Sequence, residues 1–174
     1  MYATGVLNLL VALAAAGTVA AECYDEKPAL HCYNGPNDTH QDLTVEDITY
    51  IGDALRAYGR EIEGGRYFTM TAQHAPNCAE WVLFTQGSVV ALAKHIGSDK
   101  DSSVLFEDIA NTIDGGQERD QVGPALIQCL SAGGSAGVIV NTSDAGYNTK
   151  EYLDKGYTPQ GILIKLVTTE TDEL

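Results

Sequence analysis

The amino-terminal stretch of the chain, residues 1–21, contains no charged side chain and consists mostly of apolar residues. Its apolar core at residues 6–16 leads into Val19-Ala20-Ala21, whose small side chains are typical of a signal-peptidase site. The core is too short and too rich in alanine for a membrane span, which needs about 18 continuous apolar residues. We therefore predict a signal peptide at residues 1–21 and a secreted, extracellular mature chain at residues 22–174.

Export exposes the mature chain to an oxidising environment, in which cysteines pair. All four cysteines follow the predicted cleavage point, and they are Cys23, Cys32, Cys78 and Cys129. An even number in an exported chain implies two disulfides, for which three pairings exist. We favour Cys23 with Cys32, which closes a short loop over the polar start of the domain, and Cys78 with Cys129.

The mature chain of about 150 residues predicts a single secreted domain. Residues 22–42 are polar and show no apolar period, so we predict a loop pinned by a disulfide. From Thr44 to Tyr58, apolar side chains recur at every third or fourth position. This period predicts a helix with Thr44 as its N-cap.

The remaining elements decide the fold class. Aromatic and β-branched runs predict strands at residues 67–73, 81–85, 88–95, 137–141 and 161–167, the second and third forming a hairpin at Gln86-Gly87. Further helices are predicted from Ser102 or Ser103 to Asp114, from Pro124 to Leu130 and from Asn148 to Lys155. Because strands and helices do not alternate strictly, we predict an α+β fold: a mainly antiparallel sheet of about four or five strands, covered by two or three helices and stabilised by disulfides.

The formal charge of −14 falls entirely on the mature chain. Such a surface repels nucleic-acid phosphates and anionic lipids, so we expect neither nucleic acid nor membrane as a partner. Secretion also makes two sequons meaningful, and Asn37 and Asn141 are the candidate glycosylation sites. Asn37 ranks first because it lies in a segment rich in glycine, proline, asparagine and aspartate.

Motifs for catalysis, metal binding or cofactor binding are scarce in this sequence. The four histidines are scattered, and no ligand spacing of a metal site occurs, so we predict no metal and no cofactor. Gly133–Gly137 matches the Gly-x-Ser-x-Gly pattern of a hydrolase, but a helical segment precedes it and a strand follows, the reverse of the order required. Tyr147, Tyr152 and Tyr157 flank the last predicted helix, where they form either an interaction surface or an anchor to the sheet.

One pair of segments resembles the small secreted guanyl ribonucleases of fungi. The run Cys78–Leu83 is similar to the segment that carries their catalytic glutamate, which corresponds to Glu80, and Ala136–Thr142 is similar to the strand that carries their catalytic histidine. This chain has Val140-Asn141 at the position of that histidine, and asparagine cannot act as a general acid. The resemblance therefore implies a ribonuclease-like protein without activity.

A second resemblance covers most of the mature chain in its layout. The helix from Thr44, the hairpin, the helix ending at Asp114 and the late strands resemble small secreted fungal proteins of the killer-toxin-like and necrosis-inducing effector group. This resemblance implies a secreted, non-catalytic virulence effector that binds a protein of a host or competitor, in the host apoplast or after uptake. The alternatives are the inactive ribonuclease-like protein and a structural protein associated with the cell wall.

Overall fold

The computed structural model describes residues 26–76, 78–116 and 124–169. The predicted signal peptide and Cys23 lie outside these residues. The strands are β1 His31–Cys32, β2 Tyr67–Met70, β3 Glu80–Gln86, β4 Val89–His95, β5 Ser102–Leu105, β6 Gly134–Gly137 and β7 Ile162–Thr168. The α-helices are α1 Val45–Arg60, α2 Phe106–Asp114 and α3 Lys150–Asp154, and two 3₁₀-helices span Leu126–Ala132 and Ala145–Asn148.

Five of the strands form one antiparallel sheet in the order β1-β6-β7-β4-β3. Strands β2 and β5 form a separate antiparallel pair. The central strands β4 and β7 pair along their whole length, from Val89 opposite Thr168 to His95 opposite Ile162. The α+β class and the mainly antiparallel sheet are therefore confirmed.

Helix α1 begins where its sequence pattern predicts. The Thr44 hydroxyl accepts a hydrogen bond from the backbone N–H of Asp47 at 3.3 Å, as an N-cap should. The apolar period of the helix buries Ile48, Ile51 and Leu55 in the core. Burial of this face holds α1 against the sheet and against α2.

A buried ion pair joins α1 to α2. The Arg56 guanidinium donates to both carboxylate oxygens of Asp114, at 2.7 and 2.8 Å. The hydrogen bonds and the charge of Asp114 outweigh the effect of burial, so the pKa of Arg56 is raised. The absence of a side chain at Gly52 permits this close approach of the two helices, since a Cβ there would lie only 2.6 Å from an Asp114 oxygen.

The second helix was predicted to begin at Ser102 or Ser103, but it begins later in the structure. Residues Ser102–Leu105 form strand β5, and α2 begins only at Phe106. Pairing with β2, together with a hydrogen bond from the Ser103 N–H to the Thr158 carbonyl, holds this segment extended. Tertiary partners thus override the local pattern.

The strand predicted at residues 137–141 is also misplaced, because β6 ends at Gly137. Beyond it, side chains of α2 replace the strand ladder. The Thr112 hydroxyl accepts from the N–H of Ile139 at 2.8 Å, and the Asp108 carboxylate accepts from the N–H of Asn141 at 3.3 Å. The N–H of Val138 still donates to the Ile162 carbonyl of β7 at 3.1 Å, but the N–H groups of Ile139 and Asn141 bond to these side chains instead of to a strand.

The disulfide pairing that we favoured is wrong. Cys32 is bonded to Cys129 across 97 residues, with the Cα atoms 5.1 Å apart. Pairing of β1 with β6 explains this bond, since it places Cys32 opposite Gly134, shortly after the 3₁₀-helix that carries Cys129. Cys78 is also disulfide-bonded.

Removal of the Cys32–Cys129 bond by the double substitution Cys32→Ala/Cys129→Ala should lower the free energy of unfolding by about 3–5 kcal/mol. The bond closes a long loop and so restricts the unfolded chain. Guanidinium denaturation measures the change, and peptide mapping of the unreduced protein should recover Cys32 linked to Cys129. A map that links Cys129 to Cys78 would contradict the structure.

Candidate functional site

The five-stranded sheet has one face against the helices and one open face. On the first face, Ala91, Ala93 and Ile164 belong to the core cluster that includes α1 and α2. By the strand register, the other face includes His31, Glu80, Val82, Leu92, Lys94, Ser135 and Lys165. Residues 26–30, here called the amino-terminal arm, lie beside this face, where the Pro28 carbonyl accepts from the N–H of Gly137 at 2.9 Å.

A cavity of about 860 Å³ opens between the arm and the open face. Its floor includes Lys94, Lys165 and Ser135 from the strands, and loop residues after β1 form one wall. The volume lies within the range of small-molecule binding sites. Because this volume adjoins a floor of charged side chains, we take the cavity as the candidate site.

Four charged side chains that line the cavity contact one another and are here called the charge quartet: Glu26, Glu80, Lys94 and Lys165. The Lys165 ammonium donates to Glu80 at 2.9 Å and lies 3.4 Å from Glu26. The Lys94 ammonium donates to Glu26 and lies 3.7 Å from Glu80. Each lysine therefore contacts both glutamates, and the four charges compensate one another.

Burial makes this compensation necessary. Only 7% of the Lys94 side chain and 17% of the Lys165 side chain are exposed, and a buried charge without a partner is costly. Burial lowers the pKa of Lys165, but its hydrogen bond to Glu80 and the charges of both glutamates raise it by more. Burial raises the pKa of Glu26, but the hydrogen bond from Lys94 and the charges of both lysines lower it by more.

The wall of the cavity carries an aromatic ring. Tyr33 is half-buried, and the ring of His31 stands edge-on to it with the centroids 5.5 Å apart. Burial raises the pKa of the Tyr33 hydroxyl, while its hydrogen bond with Ser135 opposes the shift. Tyr33 therefore keeps its hydroxyl proton at neutral pH and can donate or accept a hydrogen bond.

The structure separates the two segments that resemble ribonucleases. Glu80 lies in the cavity, whereas Asn141 lies outside it, where its N–H donates to Asp108. The histidine that lines the cavity is His31, which lies 3.1 Å from Asp38. Of the residues of the candidate site, the resemblance pointed to Glu80 alone and gave no indication of the side chains around it.

The sequence does contain a signal for the missed lysines. Each central strand is an apolar run interrupted by one lysine, Lys94 in β4 and Lys165 in β7. A lysine in a buried strand requires a partner. No spacing pattern could identify the partner Glu26, because it comes from the arm, far away in sequence.

Both sequon asparagines are exposed, as glycosylation requires. Asn37 lines the cavity together with Asp38 and Thr39 of its own sequon. A glycan on Asn37 would therefore border the cavity, whereas Asn141 lies in a turn outside it. Glycosylation at both positions stays a prediction.

The spacing of three tyrosines left open whether they form an interaction surface or an anchor, and two of them are buried, as an anchor requires. Tyr147 is 5% exposed and Tyr152 is 4% exposed, and only Tyr157 is half-buried. The Tyr147 hydroxyl donates to Asp108 at 2.5 Å and accepts from the N–H of Leu105 at 2.8 Å. These tyrosines anchor the last part of the chain to α2 and β5, which is the alternative that their spacing left open.

The substitution Tyr147→Phe tests whether the hydrogen bonds of the Tyr147 hydroxyl stabilise the fold. This change leaves the buried N–H of Leu105 and the Asp108 carboxylate without the hydroxyl, so we expect a loss of about 2–3 kcal/mol in the free energy of unfolding. The matched control Tyr157→Phe, at a half-buried ring, should change it by less than about 0.5 kcal/mol. Equal losses in denaturant titrations of the two variants would contradict the anchor.

The charge quartet predicts a pH dependence. The pKa of Glu26 in the folded chain lies below its usual value of 4.5, so its stabilisation is present above that pH and is lost as the pH falls through the folded pKa. Glu26→Gln should therefore lower the free energy of unfolding at pH 7 by about 0.5–1 kcal/mol, a loss reduced for partial exposure.

The test compares urea denaturation of the wild type and Glu26→Gln at neutral pH and near pH 3, where the difference should shrink. Glu151→Gln serves as the control, because Glu151 forms an exposed ion pair with Lys155 on α3. A Glu26→Gln difference that is the same at both pH values would rule out ion pairing as its cause.

Comparison with known proteins gives no match to any family model, curated protein or solved structure. Across residues 26–76, 78–116 and 124–169, no helix is long and apolar enough to cross a membrane. Within the same ranges, histidine, cysteine, aspartate and glutamate side chains form no group of three that could hold a metal ion. The geometry of the cavity and the open face is therefore the basis for inferring function.

Proposed function

We propose that the protein is a secreted, non-catalytic fungal effector that binds a host protein through the open face of its sheet. The observation that carries this proposal is the charge quartet, whose members are engaged with one another beside an exposed apolar side chain. Such a surface supplies oriented charges and apolar contact area. Both are features of recognition surfaces.

The protonation behaviour of the quartet supports a non-catalytic role. A general acid or base works best with a pKa near the working pH. Here the pKa of Glu26 is lowered and that of Lys165 is raised, so both move away from neutrality. These two groups hold fixed charges at neutral pH, which suits binding better than proton transfer.

The open face also offers apolar contact area at its edge. Val82 on strand β3 is 63% exposed, and the register places it in one row with Leu92 and Lys165. An exposed apolar residue next to compensated charges resembles the apolar centre and polar rim of a protein interface. The edge position of β3 leaves Val82 accessible to a partner.

A ribonuclease-like protein is the second candidate, and one observation favours it. Glu80 lies in the cavity beside two lysines, and His31 lines the same cavity. A carboxylate base, an acid and cations are the groups that phosphodiester cleavage uses. The contacts of Glu80 with Lys94 and Lys165 and the acidic surface of the chain favour the binding role over this one.

The effector proposal predicts that Val82→Arg abolishes the contribution of the protein to host colonisation. A fungal strain that lacks the gene is complemented with the wild type, with Val82→Arg or with Leu153→Arg. Leu153 is a matched control, because it is 61% exposed and lies on α3, outside the open face. We expect the wild type and Leu153→Arg to restore colonisation and Val82→Arg to fail, at equal secreted amounts.

Two results would overturn this proposal. Unchanged colonisation after deletion of the gene would remove the effector role. Guanosine-specific RNA cleavage by the purified protein that is abolished in Glu80→Gln would replace binding with catalysis. Thermal unfolding of each variant establishes that a loss of function is not a loss of folding.

A further inference from the structure

The residues that line the cavity carry no net formal charge, although the protein as a whole is strongly acidic. Its lining includes three carboxylates, Glu26, Asp38 and Glu80, and three ammonium groups, Lys27, Lys94 and Lys165. The whole chain carries a formal charge of −14. A net anionic ligand would find no excess of positive charge here, and a cation would find no excess of negative charge.

The charged groups retain hydrogen-bonding capacity after pairing with one another. An ammonium has three donors, and a carboxylate has about four acceptor positions. The Lys165 ammonium contacts two carboxylates, and the Glu80 carboxylate contacts two ammonium groups. Donors and acceptors therefore alternate across the floor of the cavity, held in place by the ion pairs.

The wall adds a second kind of contact. The half-buried Tyr33 ring and the apolar side chains of Leu30 and Val167 line the same cavity. Its ligand therefore needs apolar surface for this wall and closely spaced groups that both donate and accept for the floor. Sugar rings combine the two, since their C–H faces are apolar and their hydroxyls donate and accept.

We infer that the cavity binds a neutral carbohydrate, with hydroxyls on the charge quartet and a sugar ring against Tyr33. The site is open and about 860 Å³ in volume, which is enough for a ligand larger than a single small ion. The sugar and the proposed protein partner would both use the charge quartet, but sugar binding is measured directly and the partner through host colonisation, so either can fail without the other. The inference would hold for a sugar free in solution or at the end of a polysaccharide.

Isothermal titration calorimetry tests the inference on the full mature chain, produced in a bacterial periplasm so that no glycan is added at Asn37. The neutral probes are hexasaccharides of N-acetylglucosamine, glucose and mannose. The comparison probes are oligogalacturonate, inositol hexakisphosphate and glycylglycine. We expect a neutral hexasaccharide to bind, with an affinity that changes by less than about twofold between about 0.05 and 0.5 M salt.

Two tryptophan substitutions locate the site. Ala29 is exposed and lines the cavity, so Ala29→Trp should obstruct it and weaken binding by about tenfold or more. Ala57 is exposed on α1 and does not line the cavity, so Ala57→Trp should leave the affinity within about twofold. Both positions are on the surface, and the same thermal unfolding midpoint in both variants verifies folding.

Three results would overturn the inference. The first is that none of the neutral hexasaccharides binds at millimolar concentration. The second is that an anionic or zwitterionic probe binds more tightly than all of them. The third is that Ala29→Trp binds as well as Ala57→Trp, which would place the sugar elsewhere on the protein.

Discussion

The arrangement of the open face depends on ion pairs between two lysines of the central strands and two glutamates. Lys94 and Lys165 lie on adjacent strands, and little of either side chain reaches solvent. Charges so placed require carboxylates at close range. One carboxylate comes from the edge strand and the other from the amino-terminal arm, so the requirement holds the arm beside the sheet.

The position of the arm creates the cavity. Glu26 reaches the lysines, the Pro28 carbonyl bonds to β6, and Cys32 is linked to Cys129. These contacts hold both ends of the segment and leave space between it and the strands. The charged floor of the cavity and its wall of loop residues thus both follow from the position of the amino-terminal arm across the sheet.

Local chemistry predicted several elements correctly. Thr44 caps α1 because its hydroxyl has a backbone N–H within reach, and the strands on either side of Gly87 pair as the short spacer requires. Long-range partners decided what local chemistry predicted wrongly or left open. Ser102 belongs to a strand because β2 pairs with it, and Tyr147 is buried because Asp108 and Leu105 bind its hydroxyl.

The sequence by itself determined the α+β class, the helix from Thr44 and the acidic charge, because periodicity, capping and composition act over a few residues or over the whole chain. The two lysines interrupt apolar strands, but their importance became visible only when the structure placed carboxylates beside them. Only the tertiary structure decided which cysteine pairs with Cys32 and which carboxylates meet the lysines. Those partners lie far apart along the chain, and the strand order together with the path of the amino-terminal arm brings them close.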